Sequence, residues 1–384
     1  MLYVCRTMAG VYLHIPFCKQ ACHYCDFHFS TNTSYKAEMV KAIAREFELQ
    51  KDYLSGPVET IYFGGGTPSL LTLGELNTLL SSIGRTFDVV DNPEITLEAN
   101  PDDLSKGHLI ALREAGVNRL SIGIQSFNDS VLKFMNRAHD SSMARTCLQD
   151  ARDTGFNNVS IDLMYAVPGL SNAAWNEDLG LALEHQPEHI SAYSMTIEER
   201  TVFGRWSQRG SLKPADEETS SVQFRMLIDI LERNGYEHYE ISNFAKPGFY
   251  SQHNTNYWRQ VPYLGVGPAA HSFNLVTRQS NVANNHLYMK SLEKGIVPAT
   301  VEPLTTEDKL NDYLLTTLRT KWGADLTKLR EEFGHELLGQ NQAYIAMLVE
   351  KGFAEISGDH LILTRAGKFL ADKICSDLFV GSAA

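Results

Sequence analysis

The residues best suited to chemistry stand near the amino terminus. There Tyr12-Leu13-His14-Ile15-Pro16-Phe17 leads into Cys18-Lys19-Gln20-Ala21-Cys22-His23-Tyr24-Cys25-Asp26-Phe27. Cys18, Cys22 and Cys25 form a Cys-x3-Cys-x2-Cys pattern. Thiols this close and odd in number cannot all pair as disulfides, so ligation of a soft metal is their natural use. A zinc ion would want a fourth ligand, and His14, His23 and His28 are near enough to compete for that place. An iron-sulfur cube held by three cysteines is different, because its fourth iron keeps a position open to a small molecule. Spacing alone leaves both open.

Further polar residues recur at intervals that suggest one site. Gly64-Gly65-Gly66-Thr67-Pro68-Ser69 follows an apolar run, and its glycines let the backbone approach a ligand closely. It is not a Walker loop, since no Lys-Ser/Thr follows, and a tight strand-to-helix turn explains it equally well. Glu98, Gln125, Arg137 and Asp162 each fit a satisfied turn or surface group when taken singly. In His253-Asn254-Thr255-Asn256-Tyr257-Trp258, a histidine beside Tyr257 and Trp258 reads as a hydrogen-bonded interface residue or as a metal ligand.

The elements that must position these residues follow from the apolar pattern. Short β-branched runs at 11–15, 58–63, 94–98, 119–124, 159–165 and 189–194 alternate with helical stretches, the pattern of parallel strands joined by helical crossovers. Met39, Ile43 and Phe47 mark one face of a helix within 35–53. Six such units fit an α/β fold, an open partial (β/α)6 barrel over 11–235, whose ligands belong at the carboxyl ends of the strands. The stretch 200–214 reads as a loop, and Asp216 caps a helix that Gly235 stops. Residues 236–300 read as a connecting segment. Within it, Gly265-Val266-Gly267-Pro268-Ala269-Ala270-His271 is not a dinucleotide fingerprint, because Pro262 and Pro268 spoil the strand-turn-helix context. His271 stays as a reserve candidate for contact with a ligand or substrate. Residues 301–384 carry helical patterns and a hairpin, a smaller winged-helix-like domain. That stretch holds 9 Lys+Arg against 13 Asp+Glu, which disfavours a phosphate-binding face.

Cys-x3-Cys-x2-Cys with Tyr24 before the last cysteine resembles the signature of the radical S-adenosylmethionine (SAM) superfamily. The preceding Tyr12-x-His14-x-Pro16-Phe17 is similar to the branch containing oxygen-independent coproporphyrinogen III oxidase and haem chaperones of the HemW type. The resemblance implies that Cys18, Cys22 and Cys25 hold a [4Fe-4S] cluster whose fourth iron is chelated by SAM. It implies SAM contacts from Tyr12, Gly65, Gly66, Thr67, Glu98, Gln125, Arg137 and Asp162, with Tyr24 near the adenine. A cation, carboxyl groups and an amide are what a zwitterionic nucleoside demands. His-Asn-x-x-Tyr-Trp is the motif that marks the chaperone branch, and it implies haem binding by His253, Tyr257 and Trp258, with His253 as axial ligand. Phe27 stands where the oxidases have a further cysteine, and the chain before Tyr12 lacks their amino-terminal extension.

Composition bounds these readings. A chain of 384 residues, 43% hydrophobic and 21% charged, is long enough for one large and one smaller globular domain. A net charge of -12 argues against a broad nucleic-acid binder or an anionic membrane surface. Without a spanning segment or a signal-peptide pattern, the expectation is a cytoplasmic protein that is not integral to a membrane. Cys5, Cys147 and Cys375 read as ordinary reduced thiols. Met8 offers a second start, so 1–10 are expected to be a mis-assigned start or a disordered tip. The leading expectation is a haem chaperone with haem, an acceptor apoprotein and an electron donor such as flavodoxin or ferredoxin as partners. The alternatives are a radical SAM coproporphyrinogen III oxidase and a zinc-stabilised binding module.

Overall fold

The computed structural model describes residues 8–381, so the expected tip up to Thr7, with Cys5, lies outside the described residues. The first half alternates strand and helix: β1 Ala9–Ile15, α1 Lys36–Leu49, β2 Val58–Gly65, α2 Leu73–Thr86, β3 Val89–Ala99, α3 Lys106–Glu114 and β4 Arg119–Gln125. It continues through α4 Asp129–Phe134, α5 Ser141–Asp153, β5 Val159–Tyr165, α6 Asn172–Glu184, β6 His189–Ser194, α7 Val202–Gln208 and α8 Glu217–Arg233. Then come β7 Glu237–Glu240, β8 Asn243–Ala245, α9 Gln252–Trp258, β9 Tyr263–Val266, β10 His271–Phe273, β11 Thr277–Asn281, α10 Asn285–Glu293 and β12 Ala299–Pro303. All six expected strands are present, β1 to β6, each parallel to the next, as an open partial barrel.

The strands have two faces because successive side chains alternate. On β1, Val11, Leu13 and Ile15 are fully buried in the core that also takes Met39, Ile43 and Phe47 of α1. The opposite face is unusually polar for a parallel sheet. Thr60, Glu94, Thr96, Glu98, Ser121, Asp162 and Ser191 all stand on it, and this lining is what a polar ligand at the strand ends requires.

Three expectations change. First, β1 begins at Ala9, two residues before the expected boundary, because Ala9 and Gly10 already pair with β2. Second, the stretch 236–300 is not a mere connector. It extends the barrel sheet at both ends, to the order β12-β11-β10-β9-β1-β2-β3-β4-β5-β6-β8-β7, with β9 parallel to β1. Third, 200–214 contains α7, started by Thr201, whose side chain accepts from the Gly204 amide. Phe203 of α7 stacks on Phe134, which gives the short helix its anchor. Helix α8 is capped by Asp216, as expected, and Gly235 follows it at a φ of 83°.

The carboxyl-terminal domain has its own core. It comprises α11 Thr306–Leu318, β13 Ala324–Asp325, α12 Leu326–Phe333, α13 Leu337–Gln340, α14 Gln342–Glu350, β14 Ala354–Ser357, β15 His360–Leu363, α15 Arg365–Lys368 and α16 Ala371–Leu378. Helices on a three-stranded sheet, β13-β15-β14, give the winged-helix-like arrangement. No helix among the described residues is long and apolar enough to cross a membrane.

Candidate functional site

The cysteine loop leaves β1 at its carboxyl end and is fixed by backbone bonds rather than by regular structure. The Cys18 amide donates to Ser30 O at 3.1 Å and the Ser30 amide to Pro16 O at 2.9 Å. The far side of the loop lies on the end of α4, through His23 N to Met135 O at 3.0 Å and Asn136 Nδ2 to Ala21 O at 2.7 Å. Cys18, Cys22 and Cys25 are free, half-buried thiols. Burial, as the largest cause, pushes the Cys25 thiol up to about 12, so the polypeptide alone does not ionise it.

The three sulfurs face a cavity of about 430 Å³ at the carboxyl ends of the strands. Gly65, Gly66, Thr67, Glu98, Gln125, Arg137, Asp162 and Tyr24 all line it, so most of the expected SAM residues come together. The glycines are there for space. A Cβ on Gly65, at φ 105°, would sit 2.6 Å from His14 Nδ1, and one on Gly66 would sit 2.7 Å from Phe17 O. Thr67 Oγ1 donates to Cys18 Sγ at 3.4 Å. Glu98 accepts from Tyr62 Oη at 2.8 Å and from the Gly65 amide at 3.2 Å. Burial raises the Glu98 carboxyl to about 7, the Tyr62 bond opposing this and the nearby Asp162 adding to it. Burial likewise lifts Asp162 to about 6, against the hydrogen bond from Ser191. Arg137 donates from Nη1 toward Cys22 Sγ and Tyr24 Oη, both at 3.4 Å, and from Nη2 to Gly123 O at 2.8 Å.

Several lining residues were not singled out from sequence. Asn100 joins two of the expected ones, accepting from Arg137 at 2.6 Å and donating to Thr67 Oγ1 at 3.2 Å. Its place two residues beyond Glu98 at a strand end was the available signal. Ser121 and Met164 also line the cavity. Tyr12, by contrast, is not in the lining. It points inward one level below, where its ring stacks on Tyr62 at 6.0 Å and its hydroxyl meets His14 Nδ1 at 3.3 Å.

The cavity suits a three-cysteine cube and a polar nucleoside. Arg137 Nε is buried without a hydrogen-bond partner among the described residues, a donor left over beside the cysteines. Among the described residues, no three His, Cys, Asp or Glu side chains converge closely enough for a single metal ion. A cube asks for something else, three sulfurs at separate corners. Each histidine weighed for zinc has a ring nitrogen in a hydrogen bond: His14 Nε2 with His28 O, His23 Nδ1 with Phe134 O, and His28 Nε2 with Asn285 Oδ1.

His253 departs from the arrangement expected of an axial ligand. It is 2% exposed and plugs the barrel floor, stacked on Tyr62 at 5.0 Å. Its Nδ1 is hydrogen-bonded to Thr60 Oγ1 and its Nε2 to Tyr257 Oη, both at 2.8 Å, so neither ring nitrogen faces open space. Tyr257, four residues on, shares the helix face of His253, whereas Trp258 turns the other way to meet Tyr239. The three side chains do not enclose one ligand.

Relatives fit this geometry. The Radical SAM superfamily model matches residues 12–182, and the HemN C-terminal domain model matches residues 304–370. The protein named heme chaperone HemW of Bacillus subtilis (strain 168) is 36% identical over 96% of this chain and 98% of its own length. The chain belongs to the HemW haem chaperone family. The HemW protein of Mycobacterium tuberculosis (strain ATCC 25618 / H37Rv) is 32% identical over 96% of this chain and 94% of its own. That of Escherichia coli (strain K12) is 38% identical over 68% and 69%. The solved coproporphyrinogen III oxidase (HemN) from Escherichia coli superposes at a TM-score of 0.84, at 21% identity, covering 98% of this chain and 91% of that one. This chain thus shares its fold with that oxidase.

Proposed function

We propose that this protein is a cytoplasmic haem chaperone that binds haem, holds a SAM-ligated [4Fe-4S] cluster and passes haem to an acceptor apoprotein. The observation that carries the reading is the end-to-end likeness to proteins named heme chaperone HemW. Cys18, Cys22 and Cys25 would hold the cluster, and Gly65, Gly66, Thr67, Glu98, Gln125, Arg137 and Asp162 would surround SAM. When bound, the cluster supplies an iron for the amino and carboxylate groups of SAM and an electron that a flavodoxin or ferredoxin can replenish. The chain's own residues prepare the site. Thr67 and Arg137 donate to two of the three sulfurs and so stabilise their negative charge. Glu98, held by Tyr62 and the Gly65 amide, presents a carboxyl to a cationic group. Phe27, 70% exposed at the rim, puts an apolar ring where the resembled oxidases carry a further thiol, which favours the carrier over the decarboxylase.

Anaerobic reconstitution of the full chain with iron and sulfide, followed by haem titration with and without SAM, tests the reading. The expected result is a brown cluster-bearing protein that takes up haem stably and forms no protoporphyrinogen from coproporphyrinogen III. Turnover of coproporphyrinogen would replace the carrier by the oxidase.

A further inference from the structure

The inner face of the sheet does not stop at β1. Across β9, β10 and β11 the register sets Phe273 beside both Tyr263 and Arg278. His271, two residues before Phe273, points to that same face by strand alternation. With Tyr257 of α9, these side chains line a groove of about 250 Å³, which α11 borders through Asp312 and Thr316. His271 is exposed, and its ring makes no hydrogen bond among the described residues. Two other histidines of this face are His253, with both ring nitrogens engaged, and His14, held by Tyr12 and His28.

We infer that the iron porphyrin seats in this groove with His271 as its imidazole ligand, and that His253 acts from behind as a positioning residue. The inference rests on the haem-carrier reading above. A metalloporphyrin is recognised by a free imidazole, by aromatic side chains against its faces and by a cation for its carboxylates. His271 supplies the first, Tyr257, Tyr263 and Phe273 the second, and Arg278 the third. Arg278 is ion-paired with Asp312 and opposite Glu302 on β12, so a porphyrin carboxylate would compete with Asp312 for it. The groove is smaller than a whole macrocycle, which leaves one edge in solvent, as handing cargo to an acceptor requires. The role of the His-Asn-x-x-Tyr-Trp motif follows. His253 Nε2 holds the Tyr257 hydroxyl at 2.8 Å, and the Tyr257 ring meets Tyr263 edge-on at 4.5 Å. The buried histidine thus shapes the groove wall without touching iron.

The test compares cluster-reconstituted wild type, His271→Ala, His271→Met and His253→Ala by haem titration and by resonance Raman of the ferrous complex. His271→Ala is expected to weaken haem binding by about tenfold or more and to lose the iron–histidine stretching band, which added imidazole restores. His271→Met should alter the band pattern, a change that no purely structural role would produce. His253→Ala should weaken uptake yet keep the iron–histidine band. Loss of that band in His253→Ala together with its retention in His271→Ala would overturn the assignment while leaving the carrier reading intact. Failure of the wild type to take up haem would overturn the carrier reading itself, and this assignment with it.

Discussion

Glu98 and Asp162 are the residues through which pH should reach the cofactor. Both are buried carboxyls on the inner face, raised by burial to about 7 and about 6 from ordinary carboxyl values. A group raised in the folded state keeps its proton at pH values where water would strip it. The proton must leave before the carboxylate can pair with a cation, so SAM affinity should rise as pH increases through 6 to 7 and level off above. Below that window the fall is about tenfold per pH unit for each carboxyl that must ionise. Glu98→Gln removes one proton from the balance, so its affinity should be weaker above pH 7 and less steep below it. Equilibrium dialysis of SAM against the reconstituted protein from pH 5.5 to 8.5 reads this. A profile that is flat in the wild type, or equally steep in Glu98→Gln, would remove Glu98 from the SAM site.

Among elements, helix α9 decides how the barrel is closed below, and its sequence did not reveal this. Two contacts fix its first turn: Ser251 caps it through the Asn254 amide at 3.4 Å, and Glu94 of β3 accepts the amides of Gln252 and His253, both at 3.1 Å. A buried carboxylate against the first turn satisfies amides that the start of any helix leaves unpaired, and complements the helix dipole. Glu94→Ala should therefore cost about 1.5–3 kcal/mol. It should also raise amide exchange across α9 while the carboxyl-terminal helices stay protected; unchanged exchange in α9 would mean the cap is incidental. The contrast with the six barrel strands is physical. Each of those is a run of six or more residues with apolar side chains toward α1 or its equivalents, and such a run declares itself. β8 and β10 have three residues, too few for any period, and form because long-range partners offer them an edge. The cysteine spacing and the glycine run announced the cavity for a similar reason: both are local. The engagement of His253 with Thr60, 193 positions away, is not local, and a histidine with two occupied nitrogens looks the same in sequence as one with a free lone pair.

At the scale of the whole molecule, several ion pairs join the two cores, Lys321 with Glu237 and Arg365 with Asp229 among them, and Arg319 makes the most buried one. Arg319, just past α11, reaches Glu240 of the barrel sheet from Nε at 3.1 Å and Asp372 of α16 from Nη1 at 2.7 Å. Glu240 is nearly closed to solvent, whereas Asp372 is largely exposed, so the first contact matters and the second contributes little. Around it, Phe369 packs edge-on against Phe224 at 4.7 Å and Lys368 donates to His238 O at 3.0 Å. Removing the guanidinium leaves Glu240 buried with, among the described residues, the Ser242 amide and the Asn243 side chain as its hydrogen-bond donors. Arg319→Ala should therefore cost about 3–5 kcal/mol at the joint, more than Asp372→Ala, which removes only the exposed partner. Because each core is separately packed, that loss should loosen their coupling, so calorimetry of Arg319→Ala should resolve two transitions where one is expected of the wild type. A single transition at the wild-type temperature would mean that the remaining contacts, the Phe369–Phe224 packing and the Lys321–Glu237 and Arg365–Asp229 pairs among them, hold the domains together without Arg319.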